Sequence, residues 1–341
     1  MKIWLPYIRC GSGTDVYTER LAKATVSAGH EAVVSPFAHC WQYFPWRLRL
    51  IEPPPGVEVI LANTWNGFAF HRSGIKLVVV EHHCIFDPAY APYRSLLQTV
   101  FHENLVRRFE QASLRTADAL VAVSAYTARM VRKALGGPMA EVIHNGIDTD
   151  FFCPGQQAKT PVKDRTVRLL FVGNLSRRKG ADLLPDIMRK LGPGYELRYT
   201  SGLRTNDPYM NVPGMKPLGR LNQQQMLDAY RHADIVLFPT RLEGFGYAAA
   251  EAMACGTSVV ATDCSSLPEL IDDGVTGRLC PMDDVKAFAA AVSELVAQPE
   301  RLLQMGRKAR KAIEKQFTLK RMAHEYIGLF EDLLADVHPN H

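Results

Sequence analysis

Short apolar runs alternate with amphipathic stretches along the chain, and glycine or polar residues separate most of them. The apolar runs predict buried strands at residues 2–5, 31–35, 57–61, 76–81, 117–123, 167–172, 196–200, 234–238 and 259–262. The amphipathic stretches predict helices at residues 14–28, 95–116, 182–191, 223–232, 246–254, 284–297 and 317–335. Strands that alternate with helices in this way predict an α/β architecture, with parallel sheets wound by crossover helices.

One segment interrupts the alternation. Residues 153–166 carry Pro, Gly, Gln and charged residues with no apolar period, which is typical of a linker. We therefore expect two doubly wound, Rossmann-like domains, 1–153 and 154–316, and a helix in 317–341 that crosses back onto the first domain. Ligands of such sheets bind at the carboxyl ends of the strands, so the cleft between the domains is the expected site.

The composition excludes several classes of protein. Of the 341 residues, 47% are hydrophobic and 22% are charged, which argues against disorder. The net charge of +5 is too small to indicate a nucleic-acid-binding protein. Seven cysteines without CxxC spacing predict neither a disulfide framework nor a zinc site, and Pro6 and Arg9 interrupt any N-terminal secretion signal. These features predict a cytoplasmic protein.

The sharpest motif is a pair of glutamates, Glu243 and Glu251, at a predicted strand–loop–helix junction. Gly244 and Gly246 allow the backbone to approach a ligand closely, and the first N–H groups of the helix form an anion site. One carboxylate can then face a sugar while the other accepts hydrogen bonds from ribose hydroxyls. The alternative is that Glu243 only favours the helix dipole and Glu251 is a surface charge. The spacing of the glycines and the strand–loop–helix context favour the binding site over this alternative.

Several ordered motifs resemble those of glycosyltransferase family 4. They are ADIVLFPTRLEGFG at 233–246 with EAMACGTSVVA at 251–261, PELIDDGVTG at 268–277, VIHNGID at 142–148 and FVGNLSRRKG at 171–180. The resemblance covers nearly the whole chain. It implies the GT-B fold, in which two Rossmann-like domains face each other across a cleft, and sugar transfer from a nucleotide sugar with retention at the anomeric carbon.

The resemblance also implies roles for particular residues. It places Glu251 on the ribose, Lys179 and Arg178 on the diphosphate, and Glu243 on the sugar. The second domain would then bind the nucleotide sugar, and the first domain would bind the acceptor. The other residues that it implicates are Gly244, Phe245, Gly246 and Tyr247 at the sugar, Gly11 and Gly13 facing the donor, and His82 near the reacting carbon. Its candidate catalytic residues are therefore Glu243, His82 and Lys179.

The basic segment departs from the family pattern at one position. The family usually has Arg directly after the glycine of the strand, where this chain has Asn174. Lys179 then remains the main candidate for a phosphate ligand, with Arg178 second. Arg177 is in doubt, because runs of basic residues are often partly solvated.

Two motifs of the first domain have alternative interpretations. The Gly11–Gly13 loop lacks the third glycine of a dinucleotide fingerprint, because Val16 stands there, and it is equally consistent with a tight strand-to-helix turn. His82 and His83 end a predicted strand, on which adjacent side chains face opposite sides. We therefore expect at most one of them, preferably His82, to line the cleft.

Two further segments carry chemistry that the main motifs do not explain. Asp148 and Asp150 form a DxD triplet, but their context indicates a turn, so we expect no metal. Residues 41–49 combine Trp, Tyr and Phe with Arg. This composition is typical of membrane-interface contacts, and also of a packed loop on the acceptor side.

The sequence thus predicts a retaining glycosyltransferase that needs no metal or other cofactor. Its expected partners are a UDP- or GDP-linked sugar donor and a glycan or lipid-linked acceptor, as in surface polysaccharide or lipopolysaccharide synthesis, with peripheral contact to the inner face of the membrane. The alternatives are an epimerase or hydrolase of the same fold and a noncatalytic nucleotide-sugar-binding scaffold. An epimerase would need an acidic residue for elimination, and the sequence contains no motif for one. A scaffold has no reason to keep Glu243, Glu251 and Lys179 together.

Overall fold

The computed structural model describes residues 1–11, 13–156, 162, 165–201, 209 and 212–335. The chain divides into two units, Met1–Gly146 together with the segment from Phe317, and Ile147–Gln316. The sequence predicts that the first domain ends at residue 153, seven residues later than the first unit does at Gly146. The predicted linker, 153–166, lies partly outside the described residues.

The first unit is built on a six-stranded sheet in the order β2-β1-β3-β4-β5-β6, and every pairing is parallel. Its strands are β1 (Lys2–Ile8), β2 (Glu31–Phe37), β3 (Val59–Asn63), β4 (Lys76–Glu81), β5 (Ala119–Ala122) and β6 (Glu141–Val142). Its helices are α1 (Gly13–Ser27), α2 (Leu96–Phe101), α3 (Arg107–Thr116), α4 (Ala125–Leu135) and α11 (Leu319–Ala335). The central strands are buried on both faces, as their Val, Ile and Leu content predicts.

The second unit repeats this plan with the strand order β12-β11-β10-β7-β8-β9. Its strands are β7 (Val167–Phe171), β8 (Tyr195–Thr200), β9 (Met215–Gly219), β10 (Ile235–Phe238), β11 (Ser258–Thr262) and β12 (Arg278–Cys280). Its helices are α5 (Leu184–Leu191), α6 (Gln223–His232), α7 (Tyr247–Ala254), α8 (Leu267–Leu270), α9 (Val285–Ala297) and α10 (Pro299–Gln316). All its pairings are parallel, so the carboxyl ends of β7 and β10 lie at the same edge.

Two helical regions of the first unit bear on the site. The helix predicted at 95–116 is interrupted, because a π-helical turn at His102–Val106 separates α2 from α3. This turn directs His102 into the interior, where it is buried. The C-terminal helix α11 packs against α1 within the first unit, where the rings of Tyr17 and Tyr326 lie 6.2 Å apart.

Candidate functional site

Two loops of the second unit, which follow β7 and β10, are tied together by hydrogen bonds. The Arg241 N–H donates to the Arg178 carbonyl at 2.8 Å, and the Arg178 guanidinium donates to the Leu242 carbonyl at 2.9 Å. Gly180 makes this approach possible. It has a φ of +69°, and a Cβ added there would lie 1.8 Å from the Pro239 carbonyl oxygen. Only glycine fits this contact.

Arg241 holds the two loops in place, a role that the sequence analysis does not predict. Its side chain is 6% exposed and forms ion pairs with Asp182 at 2.7 Å and Asp283 at 2.5 Å. It also donates to the Arg177 carbonyl. The available signal is its position two residues before Glu243, but the sequence does not show which acids lie beside it.

The structure brings together two of the predicted catalytic residues, Lys179 and Glu243. The Lys179 ammonium lies 2.5 Å from Glu243 Oε1, and the Thr240 hydroxyl donates to the same oxygen at 2.9 Å. Burial opposes ionisation of Glu243, but the charges of Lys179 and Arg178 hold its pKa below the ordinary value. Burial lowers the pKa of Lys179, and the charge of Glu243 opposes this shift. The pair is a buried carboxylate and its counter-ion.

The loop that contains Glu243 leads directly into α7. Gly246 precedes the helix with a φ of +97°, where a Cβ would meet Leu267 Cδ2 at 2.9 Å. Phe245 is buried and its ring lies 5.5 Å from that of Tyr247, whereas Gly244 is half-buried. The left-handed conformation of Gly246 therefore connects the Glu243 loop directly to the first N–H groups of α7.

Glu251 lies one turn into α7 and is buried, with 9% of its surface exposed. The Tyr230 hydroxyl donates to Glu251 Oε2 at 3.1 Å. The alternative interpretation of Glu251 as a surface charge is therefore wrong. Arg177, the basic residue in doubt, is exposed.

Gly11 and Gly13 belong to the first unit, at the turn between β1 and α1, and both are exposed. Gly11 has a φ of +66°, and its N–H donates to Asp15 Oδ2 at 2.8 Å. The Cys10 N–H donates to the same carboxylate at 3.1 Å. Asp15 thus stabilises a tight strand-to-helix turn.

His82 also belongs to the first unit, just after β4. Its Nε2 lies 3.0 Å from Asn63 Oδ1, and its ring meets Tyr17 edge to face at 4.6 Å. Burial lowers the pKa of His82 to about 4, so the imidazole is neutral at neutral pH. Both His82 and His83 line one cavity of the first unit. Strand alternation does not apply to them, because β4 ends at Glu81. That at most one of them lines the cleft between the domains stays a prediction.

The DxD triplet behaves as a turn. Asp148 Oδ1 accepts the Phe151 N–H at 3.1 Å, and the Asp148 carbonyl accepts the Phe152 N–H at 2.8 Å. Within the described ranges, no three His, Cys, Asp or Glu side chains are grouped as metal ligands would be. In the same part of the chain, no helix has the length and apolar character needed to cross a membrane.

Comparison with known proteins identifies the family of this chain. Residues 166–298 match a family model described as glycosyl transferases group 1, and residues 35–151 match one described as glycosyltransferase family 4. A D-inositol 3-phosphate glycosyltransferase from Kribbella flavida is 32% identical, over 77% of this chain and 68% of that protein.

Two solved structures share the fold at low sequence identity. Sucrose-phosphate synthase from Thermosynechococcus elongatus has a TM-score of 0.82 and 19% identity, over 98% of this chain and 100% of that chain. Anabaena HepE in complex with UDP-glucose has a TM-score of 0.76 and 16% identity, over 97% and 100%. The chain therefore has the GT-B fold, belongs to glycosyltransferase family 4 and is a glycosyltransferase.

Proposed function

We propose that this glycosyltransferase transfers a sugar from a nucleotide sugar to a glycan or lipid-linked acceptor, with retention of anomeric configuration and without a metal ion. The observation that carries the proposal is the buried Lys179–Glu243 pair, held at the carboxyl ends of β7 and β10 beside the start of α7. In a doubly wound sheet, this edge is where ligands bind.

The proposed donor site uses the residues around this pair. Lys179 and Arg178 bind the diphosphate, Glu251 accepts hydrogen bonds from the ribose, and Glu243 with residues 244–247 contacts the sugar. The HepE structure contains UDP-glucose, which supports a UDP-sugar as the donor, although a GDP-sugar would meet the same diphosphate site. Gly11 and Gly13 remain proposed donor contacts from the first unit.

Charge neutralisation is the chemical task of this site. Cleavage of the donor leaves negative charge on the diphosphate, and fixed cations with helix N–H groups stabilise such charge in a transition state. Lys179 is already desolvated and ionised beside Glu243, so little reorganisation is needed when the charge develops. We propose that a hydroxyl of the acceptor attacks from the face that the diphosphate leaves, which retains the configuration, and that the hydroxyl proton passes to the departing diphosphate. His82, being neutral, supplies a hydrogen bond near the reacting carbon and no charge.

The acceptor that we propose is a surface glycan or its lipid-linked precursor, with peripheral contact to the inner face of the cell membrane. Two adjoining segments of the first unit expose large apolar side chains. They are Tyr43, Phe44, Trp46 and Leu50, and Leu96, Leu97 and Val100 of α2. The rings of Tyr43 and Phe101 join the segments at 5.6 Å, and Arg47 and Arg49 are exposed among the apolar side chains. Apolar side chains with arginines suit an anionic lipid surface.

Vesicle flotation tests the membrane contact. We expect the protein to float with vesicles that contain anionic lipid and not with neutral ones, and the double substitution Trp46→Ser/Leu97→Ser to abolish flotation. Val26→Ser is the matched control, because Val26 is also exposed but lies on α1. Equal flotation of both variants would argue against this surface.

Incubation with a panel of UDP- and GDP-sugars, with and without acceptors, tests the reaction itself. Nucleotide release that requires an acceptor indicates transfer, epimer formation without one indicates an epimerase, and binding without turnover indicates a scaffold. Carbon-13 NMR of the product then reports the anomeric configuration. Inversion at that carbon would contradict the retaining mechanism.

A further inference from the structure

The first unit contains a cavity of about 720 Å³, beyond the residues assigned to the donor. Ile8, Asn63 and Glu81 line it, and these are the last residues of β1, β3 and β4. The cavity therefore lies at the edge of the sheet where α/β proteins bind ligands. Its volume is in the range of sites that enclose one small molecule.

Several polar groups in the wall of this cavity have no hydrogen-bond partner among the described residues. They are Glu110 Oε2, Asn66 Oδ1, His102 Nδ1 and Trp65 Nε1. Glu110 and Asn66 are each 2% exposed and His102 is 7% exposed. Buried polar groups without partners are rare in proteins and need an explanation. The set contains donors and acceptors together, which suits hydroxyl groups because each hydroxyl donates once and accepts twice.

The charges of the cavity restrict what these groups can bind. Glu81 and Glu110 line it, whereas no Lys or Arg of the described residues does. Arg107, whose charge acts on Glu110, is paired with Glu103 at 2.6 Å. A phosphate group that entered the cavity would lose its hydration without meeting a cation, which is strongly unfavourable.

The two carboxyls are also arranged for hydroxyl recognition. Glu81 accepts the Thr64 hydroxyl at 2.9 Å and the His83 N–H at 3.2 Å, which fixes its orientation. Burial raises the pKa of Glu81 to about 7, and burial with the charge of Glu81 raises the pKa of Glu110 well above its ordinary value. At neutral pH the pair therefore retains a proton, so it offers both a donor and an acceptor.

We propose that this cavity binds the uncharged, hydroxyl-rich head of the acceptor, and that Glu81 and Glu110 bind its hydroxyls and exclude phosphorylated acceptors. The proposal rests on the proposed function, because it assigns the acceptor of the same transfer. It adds the chemical class of the head group and two residues that determine specificity.

Binding of matched sugar pairs to the full chain tests this assignment. The probes are methyl glucoside, methyl galactoside, methyl mannoside and maltose, each compared with its 6-phosphate by saturation-transfer NMR and titration at pH 7. We expect at least one uncharged sugar to bind, and its phosphate ester to bind at least about tenfold more weakly. Binding of a phosphate ester as tightly as its parent sugar, or binding of none of the four sugars, would overturn the proposal.

Variants locate the binding. Glu110→Gln and Glu81→Gln keep the side-chain volume and should each weaken sugar binding by about tenfold. Glu52→Gln is the control, because Glu52 is exposed and does not line the cavity. Unchanged sugar binding in both cavity variants would remove these residues from the site.

Nucleotide binding to the same samples separates the two proposals. UDP and GDP titrations report the donor site in the second unit, and the cavity variants should leave them unchanged. If the wild type binds a sugar but neither UDP nor GDP, the result counts against the proposed function alone. Nucleotide binding with the sugar pattern absent would count against the cavity assignment alone.

Discussion

Lys179 and Glu243 illustrate how a single residue pair constrains this protein. Both side chains are largely buried and lie 2.5 Å apart, so removal of one leaves the other as an unpaired charge in the interior. Such a loss costs roughly 3 kcal/mol of unfolding free energy. A single substitution here therefore confounds stability with activity, and a neutral double variant is the better probe.

Glu251 gives a prediction about the ribose. The Glu251→Gln variant should bind the nucleoside diphosphate about tenfold more weakly, because a hydrogen bond to a charged acceptor becomes one to a neutral amide. Isothermal titration with a nucleoside diphosphate and its 2′,3′-dideoxy analogue measures this. The wild type should prefer the ribose form, and the variant should lose most of that preference. The same preference in both proteins would show that Glu251 does not bind the ribose.

Glu81 gives a prediction about pH. Its pKa is raised from 4.5 to about 7, so between these pH values the folded chain keeps a proton that the unfolded chain releases. The contribution of Glu81 to the unfolding free energy therefore falls as the pH rises from 4.5 to 7, by up to about 3 kcal/mol. As the pH rises from 5 to 8, the melting temperature of Glu81→Gln should therefore increase relative to that of the wild type. Parallel melting temperatures of the two proteins across this range would contradict the assignment.

At the level of elements, the contact between the β7–α5 and β10–α7 loops depends on Gly180. Gly180→Ala and Gly29→Ala make a comparison pair, because φ is +69° at Gly180 and +90° at Gly29. Around Gly29 the His30 N–H donates to the Thr25 carbonyl, as in a left-handed helix cap. A Cβ at Gly29 has no atom within 4 Å, whereas one at Gly180 meets the Pro239 carbonyl. We expect Gly29→Ala to cost about 1 kcal/mol, and Gly180→Ala to cost at least about 2 kcal/mol more and to reduce turnover. Urea unfolding and initial rates measure both effects, and equal losses would show that the loops do not need this contact.

Most elements of the fold follow from the sequence pattern. The strand at 76–81 and the helix at 223–232 are predicted to the residue, because a run of branched apolar residues marks the strand and Asn222 caps the helix. Other elements are missed, including the 11-residue helix α4 and the 18-residue helix α10, as well as the short strands β6, β9 and β12. The strand β6 has two residues, β9 carries the exposed Lys216 and Pro217, and neither has an apolar run. Short edge strands depend on pairing with their neighbours more than on their own composition.

The candidate site is predictable where a motif is local and not where tertiary contacts decide it. The glycines beside Glu243 indicate a loop-to-helix junction, so the sequence places Glu243 near the start of α7. No local pattern shows that Lys179, 64 residues away, pairs with Glu243. The same is true of Glu81 and Glu110, whose shared cavity is also lined by His102 of the π-helical turn. These contacts join elements far apart in the sequence.

At the scale of the whole molecule, the proposed donor residues from Arg178 to Glu251 belong to the second unit, and the cavity with Glu81 and Glu110 belongs to the first. The proposed donor contacts of Gly11 and Gly13 are the exception, because both glycines belong to the first unit. Variants at Glu251 should therefore affect the donor, and variants at Glu81 and Glu110 should affect the acceptor. Family membership establishes glycosyl transfer, and what remains to be tested is whether Lys179, held in place by Glu243, stabilises the charge of the diphosphate in place of a metal.

The most direct test measures acceptor-dependent nucleotide release by the Lys179→Met/Glu243→Gln variant and the wild type, both in excess EDTA. The double variant removes both charges together, so circular dichroism should show a melting temperature close to that of the wild type. We predict that the wild type keeps its rate in EDTA and that the variant loses at least about 100-fold, because one preorganised charge at a developing oxyanion contributes a few kcal/mol. Equal rates in the two proteins would contradict the role of Lys179 and Glu243, and loss of wild-type activity in EDTA that manganese or magnesium restores would contradict metal-independent transfer.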